Sequence, residues 1–535
     1  MINFSRRLIT SLKLSALAGT LAWSNVALAE SKPREIGDSL QLMMDVSLVD
    51  KLSDGIRMVQ GTPEFREIVL KSDRPWEGRA FIISSIYQHE GVYHLLYRGH
   101  NTDSGDETIR SYYLCLATST DGITWEKPNL GLVTFKGSKQ NNIIGFSDGE
   151  AMPFCYTFYD PRPETPADER VKAILMRDGD RRAGGAGKGL RAQVLASADG
   201  RVWRDLNLGA DLQSDRINAF DGGSVFWSEA EQQFVGYFRW WEVDPPTHDR
   251  LLFDWMIGRP GVRTAFRSVS KDLRSWSTPE PMSYGGTPRE HIYEASTTPY
   301  FRNAELYVVL ANRFNPGRRA ITLEEERAFD ITRFPGNQIN PTYTFASDAN
   351  DMVLLLTKPG ETDYQRPFME AFLRPGTDPR NWTSRNNYTA LTGGLIPTGP
   401  AEMSFFITRH HLQPGNHIQR VSLRTDGLVS ARAGYAGGEL TTVPFTYTGD
   451  HLVINFATSG AGEVRVELQD AAGNPLPGFS LEECDVLIGD RIDHTVSWQG
   501  RESLSGYIGR PVRLKFVMSD ADLYSFKFPD GPLGN

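Results

Sequence analysis

Short runs of alternating apolar and polar residues dominate this chain, and helical spacing is scarce. Residues 91–98, 231–239 and 305–311 are rich in β-branched and aromatic side chains and are bounded by turn formers, a pattern that predicts strands. Helical periodicity is confined to 322–329. From about residue 430 the runs shorten and crowd together, at 445–447, 452–456, 463–468, 494–498 and 512–518. Turn formers such as Asp470, Gly473, Asn474 and Pro475 separate them, which predicts a β-sandwich over 431–535.

The strands before that point are punctuated by a repeat. Ser119, Asp121, Gly122 and Trp125 recur as Ser197, Asp199, Gly200 and Trp203, then as Ser270, Asp272, Leu273 and Trp276. A degenerate copy holds Asp378 and Trp382. The residue types specify a strand, a tight turn capped by Ser and Asp, and a Trp that opens the next strand and packs between units. The first three Trp are 78 and 73 residues apart, room for the four strands of a propeller blade. An irregular fourth blade fits between Trp276 and Trp382, and a fifth fits 391–430, with strands at 403–408 and 418–423. The fold class expected is all-β: a five-bladed β-propeller over 30–430 followed by the C-terminal β-sandwich.

Composition narrows the possibilities further. Arg6, Arg7 and Lys13 precede an apolar, small-residue run that closes on Ala27 and Ala29. This reads as a signal peptide over 1–29, cleaved after Ala29 to give a periplasmic or secreted protein with no later membrane span. A formal charge of −9 without a basic block argues against a nucleic-acid partner. Three cysteines, Cys115, Cys155 and Cys484, make no disulfide framework, and Cys115 reads as a buried thiol. His410 and His411 are neighbours on a strand and face opposite ways, so no metal site is expected. The glycine-rich stretch 183–189 lacks the Lys-Ser/Thr ending of a phosphate loop and reads as a mobile loop. The 11 Trp and 19 Tyr suit sugar stacking or a β core equally.

The repeated turn, trailed by a sandwich, resembles the five-bladed propeller superfamily of glycoside hydrolase families 32 and 43. The likeness is greatest to the divergent family 32 N-terminal-like proteins of polysaccharide-degrading bacteria. It is carried by the turn itself, by Trp125-Glu126-Lys127-Pro128-Asn129-Leu130-Gly131 with Asn141-Asn142-Ile143-Ile144, and by 520–526. The resemblance implies an extracytoplasmic glycosidase, exo-acting on a carbohydrate substrate without a cofactor. The chain departs from the family in lacking Trp-x-Asn-Asp-Pro and the Glu-Cys pair, and Tyr159-Asp160-Pro161 stands where the family has Arg-Asp-Pro.

Glycosidic cleavage needs two carboxyl groups, and an acid inside an apolar strand is costly to bury unless it is paired or functional. Glu77, Asp160, Asp221, Glu294 and Glu402 meet that description at blade openings, with Glu370 a little upstream of the last. By analogy with the superfamily's blade order, Glu77 is the base or nucleophile, Asp160 the stabiliser and Asp221 the proton donor. Glu294 and Glu370 are reserves for the donor. Arg98, His100, Arg239 and Trp240, together with Glu402, could bind sugar hydroxyls or an anionic group. Two other readings compete with hydrolysis: a propeller that only binds glycan, and a sialidase-like enzyme built on Tyr293-Glu294 with an arginine triad.

Overall fold

The computed structural model describes residues 32–100, 112–177, 191–209, 223–242, 253–254, 259–331 and 344–531. The proposed leader, the glycine-rich stretch 183–189 and Asp221 lie outside the described residues.

Five antiparallel sheets form the blades. Blade one comprises Ile82–His89, Val92–His100 and Tyr112–Ser119; blade two, Tyr156–Tyr159, Val171–Arg177, Arg191–Ser197 and Val202–Asp205. Blade three holds Gly223–Ser228, Gln233–Glu242, Val262–Ser270 and Glu280–Pro281, and blade four His291–Tyr300, Asn303–Asn315 and Ala349–Thr357. Blade five orders Ile396–Gly399, Glu402–Arg409 and His417–Arg424 from the inside outward, and its outermost strand is Glu64–Lys71 from the start of the propeller. Joining the first strand to the last blade closes the ring through an antiparallel ladder broken by two register shifts and removes two exposed edges.

The repeated turns are built as their residues dictate. In the first, Asp121 accepts from the amides of Ile123 and Thr124, Ser119 caps Gly122, and Trp125 Nε1 donates to the Gly122 carbonyl at 3.1 Å. Trp203 and Trp276 repeat that last bond to Gly200 and Leu273, and Leu273 takes the positive φ (61°) that glycine supplies in the other two. Each turn links the third strand of a blade to its outer edge. Trp125 reaches the neighbouring blade, meeting Phe406 at 5.6 Å, and Trp203 packs with Tyr87 and Leu116 of blade one. The helix expected at 322–329 is present as Leu323–Ala328, opened by a capping box between Thr322 and Glu325.

Ten further strands form one sheet around an apolar core that includes Phe445, Val466, Trp498, Phe516 and Phe526. Its spine is the pair Val453–Asp470 and Val512–Lys527, two long strands where short ones were expected, with a register shift between Thr458 and Glu463. The boundary also differs from the expected one. Arg34–Gly37, Gln41–Leu42, Val49–Leu52 and Ile56–Gln60 pair with the C-terminal strands, not with the propeller. Alternation marks a segment as a strand but not which sheet it joins. Buried Asp426 ties the two parts together, accepting from Tyr300, Arg302, Asn455 and Ser525. Cys115, Cys155 and Cys484 are buried and free. Among the described residues no helix is long and apolar enough to cross a membrane.

Candidate active site

The first residues of the inner strands converge on one mouth of the propeller axis. Tyr156 opens the inner strand of blade two. Arg98 lies opposite Ile82, the first residue of blade one's inner strand, and Arg239 follows Phe238, which lies opposite Gly223, the first of blade three's. Tyr293 and Glu294 stand near the start of blade four's inner strand. Tyr388 enters from blade five beside Thr408.

At Tyr293 the ladder slips: Ile292 pairs with Arg313 and Glu294 with Asn312, leaving Tyr293 as an extra residue. Such a bulge re-aims side chains that strict alternation would send to opposite faces. The Tyr293 ring is buried against Phe314 and Tyr388, with centroids 5.9 and 5.3 Å away. The guanidiniums of Arg239 and Arg263 lie 4.8 and 4.7 Å from its centroid. Arg263 is itself 2% exposed.

Glu294 is half-buried and makes no hydrogen bond or ion pair with any described residue. Burial pushes its carboxyl up to about 7, and the opposing fields of Arg239, Arg385 and Arg98 do not cancel that rise. Tyr293 moves the other way. Burial alone would raise its phenol, but Arg239, Arg385 and Arg263 together bring it down to about 8. Elsewhere burial wins: Tyr97, Tyr156, Tyr364 and Tyr388 are all raised well above the usual phenol value. An ultraviolet titration should therefore show one tyrosine ionising near pH 8 and the other buried ones silent to far higher pH. The early step should vanish in Tyr293→Phe; if it persists there, the arginine cluster acts on some other phenol.

The other acids named from sequence are placed differently. Glu77 is fully buried, accepting from the amides of Asp73 and Arg74, the Tyr97 hydroxyl at 2.6 Å and the Lys127 ammonium at 2.7 Å. Those donors fill both oxygens and tie the approach to blade one together. Asp160 follows the far end of the strand that Tyr156 opens, roughly 13 Å along at about 3.3 Å per residue. Burial resists its ionisation, but hydrogen bonds from Arg162 and Lys172 hold it at about 2. Glu402 opens blade five's second strand, opposite Gly399 at the far end of the inner one, and is paired with Arg420 at 2.6 Å and with Thr398. Glu370 is exposed before the segment that bridges blade four's outer strand at Leu373. Glu77 and Asp160 thus do not converge, and the expected trio with Asp221 is not assembled among the described residues. Of the residues named from sequence, Glu294, Arg98 and Arg239 come together. The backbones of His100 and Trp240 continue the strands of Arg98 and Arg239 at the same end.

Arg263, Arg385, Tyr156 and Tyr388 were missed. Arg263 carried a signal: a charge in the apolar start of a strand, the criterion applied to acids alone. Arg385, held at φ 64° beside Asn386 and Asn387, carried none.

His410 bonds Asp378 at 2.7 Å, and its ring meets that of His417. Among the described residues no group of three or more His, Cys, Asp or Glu is placed to hold a metal ion.

No family model and no curated protein matches this sequence. Solved structures do resemble the fold at a distance. An N-acetylgalactosamine deacetylase from F. plautii is 11% identical, with 69% of this chain and 96% of that one covered and a TM-score of 0.37. A beta-1,2-mannobiose phosphorylase from Listeria innocua is 10% identical, covering 73% and 97%, TM-score 0.33. A fructofuranosidase variant from Schwanniomyces occidentalis is 8% identical, covering 93% and 99%, TM-score 0.34. Likenesses this distant fix neither substrate nor residue roles; the five-bladed architecture rests on the chain's own sheets.

Proposed function

We propose that this chain is an enzyme that cleaves glycosidic bonds at the mouth formed by Glu294, Tyr293 and the surrounding arginines. The observation that carries the reading is the pair itself. Two adjacent side chains, one acid raised to about 7 and one phenol lowered to about 8, make a base and an acid poised around neutrality. Between those values Glu294 is mostly ionised and Tyr293 mostly protonated, so the populated form is already the working one.

In hydrolysis, water would lose a proton to the Glu294 carboxylate as its oxygen bonds to the anomeric carbon. The carbon–oxygen bond to the leaving sugar breaks, and that oxygen takes the Tyr293 proton. Arg239, Arg263 and Arg385 stabilise the phenolate left behind, and proton return from Glu294 resets the pair. The rings of Tyr112, Phe154 and Tyr156 near Arg98 offer apolar faces for a sugar. We extend the reading to exo action outside the cytoplasm, after removal of the leader at Ala29. A second use of the same residues is favoured by the guanidiniums around Tyr293: its phenolate as nucleophile with Glu294 as base, the sialidase-like variant.

The test is a panel of aryl glycosides and of plant and algal polysaccharides, with kcat/KM followed against pH for whichever is cleaved. A narrow bell is expected, rising as Glu294 loses its proton near 7 and falling as Tyr293 loses its own near 8; because the two groups interact, the limbs belong to the pair. No cleavage of any member would leave a glycan-binding propeller, and a profile flat from pH 6 to 9 would remove this pair from the chemistry.

A further inference from the structure

The mouth holds more positive charge than the chemistry just described needs. Arg98 is half-buried, and its guanidinium lies 5.0 Å from the Tyr112 ring centroid and 5.3 Å from that of Phe154. Among the described residues its one hydrogen bond runs from Nε to the Ala80 carbonyl, at 3.1 Å. It forms no ion pair with any described residue, and neither does Glu294, the carboxylate on which its field acts. Burial lowers the proton affinity of Arg98, and the like charge of Arg385 lowers it further. A desolvated guanidinium held near a second cation is unfavourable in the free protein, and it becomes favourable when an anion joins the pair. With Nε committed to Ala80, the terminal nitrogens keep the planar fork that suits an oxyanion. Flanking rings exclude water and strengthen the attraction.

We propose that the sugar bound at this mouth carries an anionic group, a carboxylate or a sulfate ester, and that the Arg98 guanidinium binds it. This deepens the reading of the mouth as a glycan-cleaving site and rests on it.

Binding tests the idea without turnover. Calorimetric titration of the full chain carrying Glu294→Gln would use glucuronate, galacturonate and mannuronate, each against its neutral parent sugar, and the 6-sulfates of glucose and galactose as a separate arm. At least one anionic sugar should bind about tenfold tighter than its parent, and the arm in which it falls names carboxylate or sulfate. Arg98→Met should erase that difference, and Arg98→Lys should restore part of it. If Arg98→Met proves unfolded by circular dichroism, Arg98→Lys alone serves, since a lysine cannot present the fork and should lose most of the preference. Equal binding of every anionic sugar and its parent would overturn the proposal, as would a preference that Arg98→Met leaves intact. Cleavage of neutral glycans alone would also sink it while sparing the catalytic pair.

Discussion

Replacing Glu294 with glutamine should lower turnover about a thousandfold, within the range that a positioned general base contributes. The amide keeps the shape of the side chain and loses only the capacity to take a proton, so glycan affinity and the folded state should survive. A second readout separates this from structural damage. The ionised carboxylate raises the Tyr293 phenol against the pull of the arginines; without it, the phenol should titrate below its parent value of about 8. Stability should respond to pH with a definite sign. The folded carboxyl titrates at about 7 against an ordinary 4.5, so the folded form holds its proton more tightly and loses stability as pH rises from 4.5 to 7. The glutamine variant carries no such loss, and its melting temperature should gain on the parent's across that interval. Turnover above a tenth of the parent's would move the base elsewhere.

The turns were legible because their chemistry is local. Ser119, Asp121, Gly122 and Trp125 satisfy one another within seven residues, and their counterparts at 197–203 and 270–276, with Leu273 in the glycine's place in the last, could be read without knowing what surrounds them. Residues 34–60 were not, because their partners lie near the other end of the chain and no periodicity names them. The site shows the same divide. An acid in an apolar strand is a true anomaly, and looking for it found Glu294. It equally found Glu77, Asp160 and Glu402, whose cations Lys127, Lys172 and Arg420 stand 50, 12 and 18 residues away. What distinguishes Glu294 is the absence of such a partner among the described residues, which is a fact of three dimensions. The arginines come from blade one (Arg98), blade three (Arg239 and Arg263) and the segment before blade five (Arg385), and only the ring brings them to one tyrosine and one glutamate.

Glu77→Gln is expected to damage the fold and spare the chemistry. The carboxylate is inaccessible to solvent, and the side chain of Lys127 is only 10% exposed. Removing the charge leaves that ammonium desolvated, with exposed Asp73 as its remaining anion. Breaking a buried pair from one side costs about 3–5 kcal/mol, and the glutamine must also turn its NH2 toward a site made of donors: two amides, a phenol and an ammonium. The disturbance would spread through Tyr97 to Asn142, which bonds that hydroxyl and the Trp76 indole. Denaturant unfolding should show the loss, while turnover per folded molecule stays within about twofold, because a carboxylate whose oxygens are both filled by protein donors changes how much enzyme is folded but not its transition state. A hundredfold fall in turnover at unchanged stability would instead return Glu77 to the base role that the family resemblance implied. Combining it with Lys127→Met supplies the control: with both charges gone, neither is left desolvated, and the double variant should recover much of the stability that the single one loses.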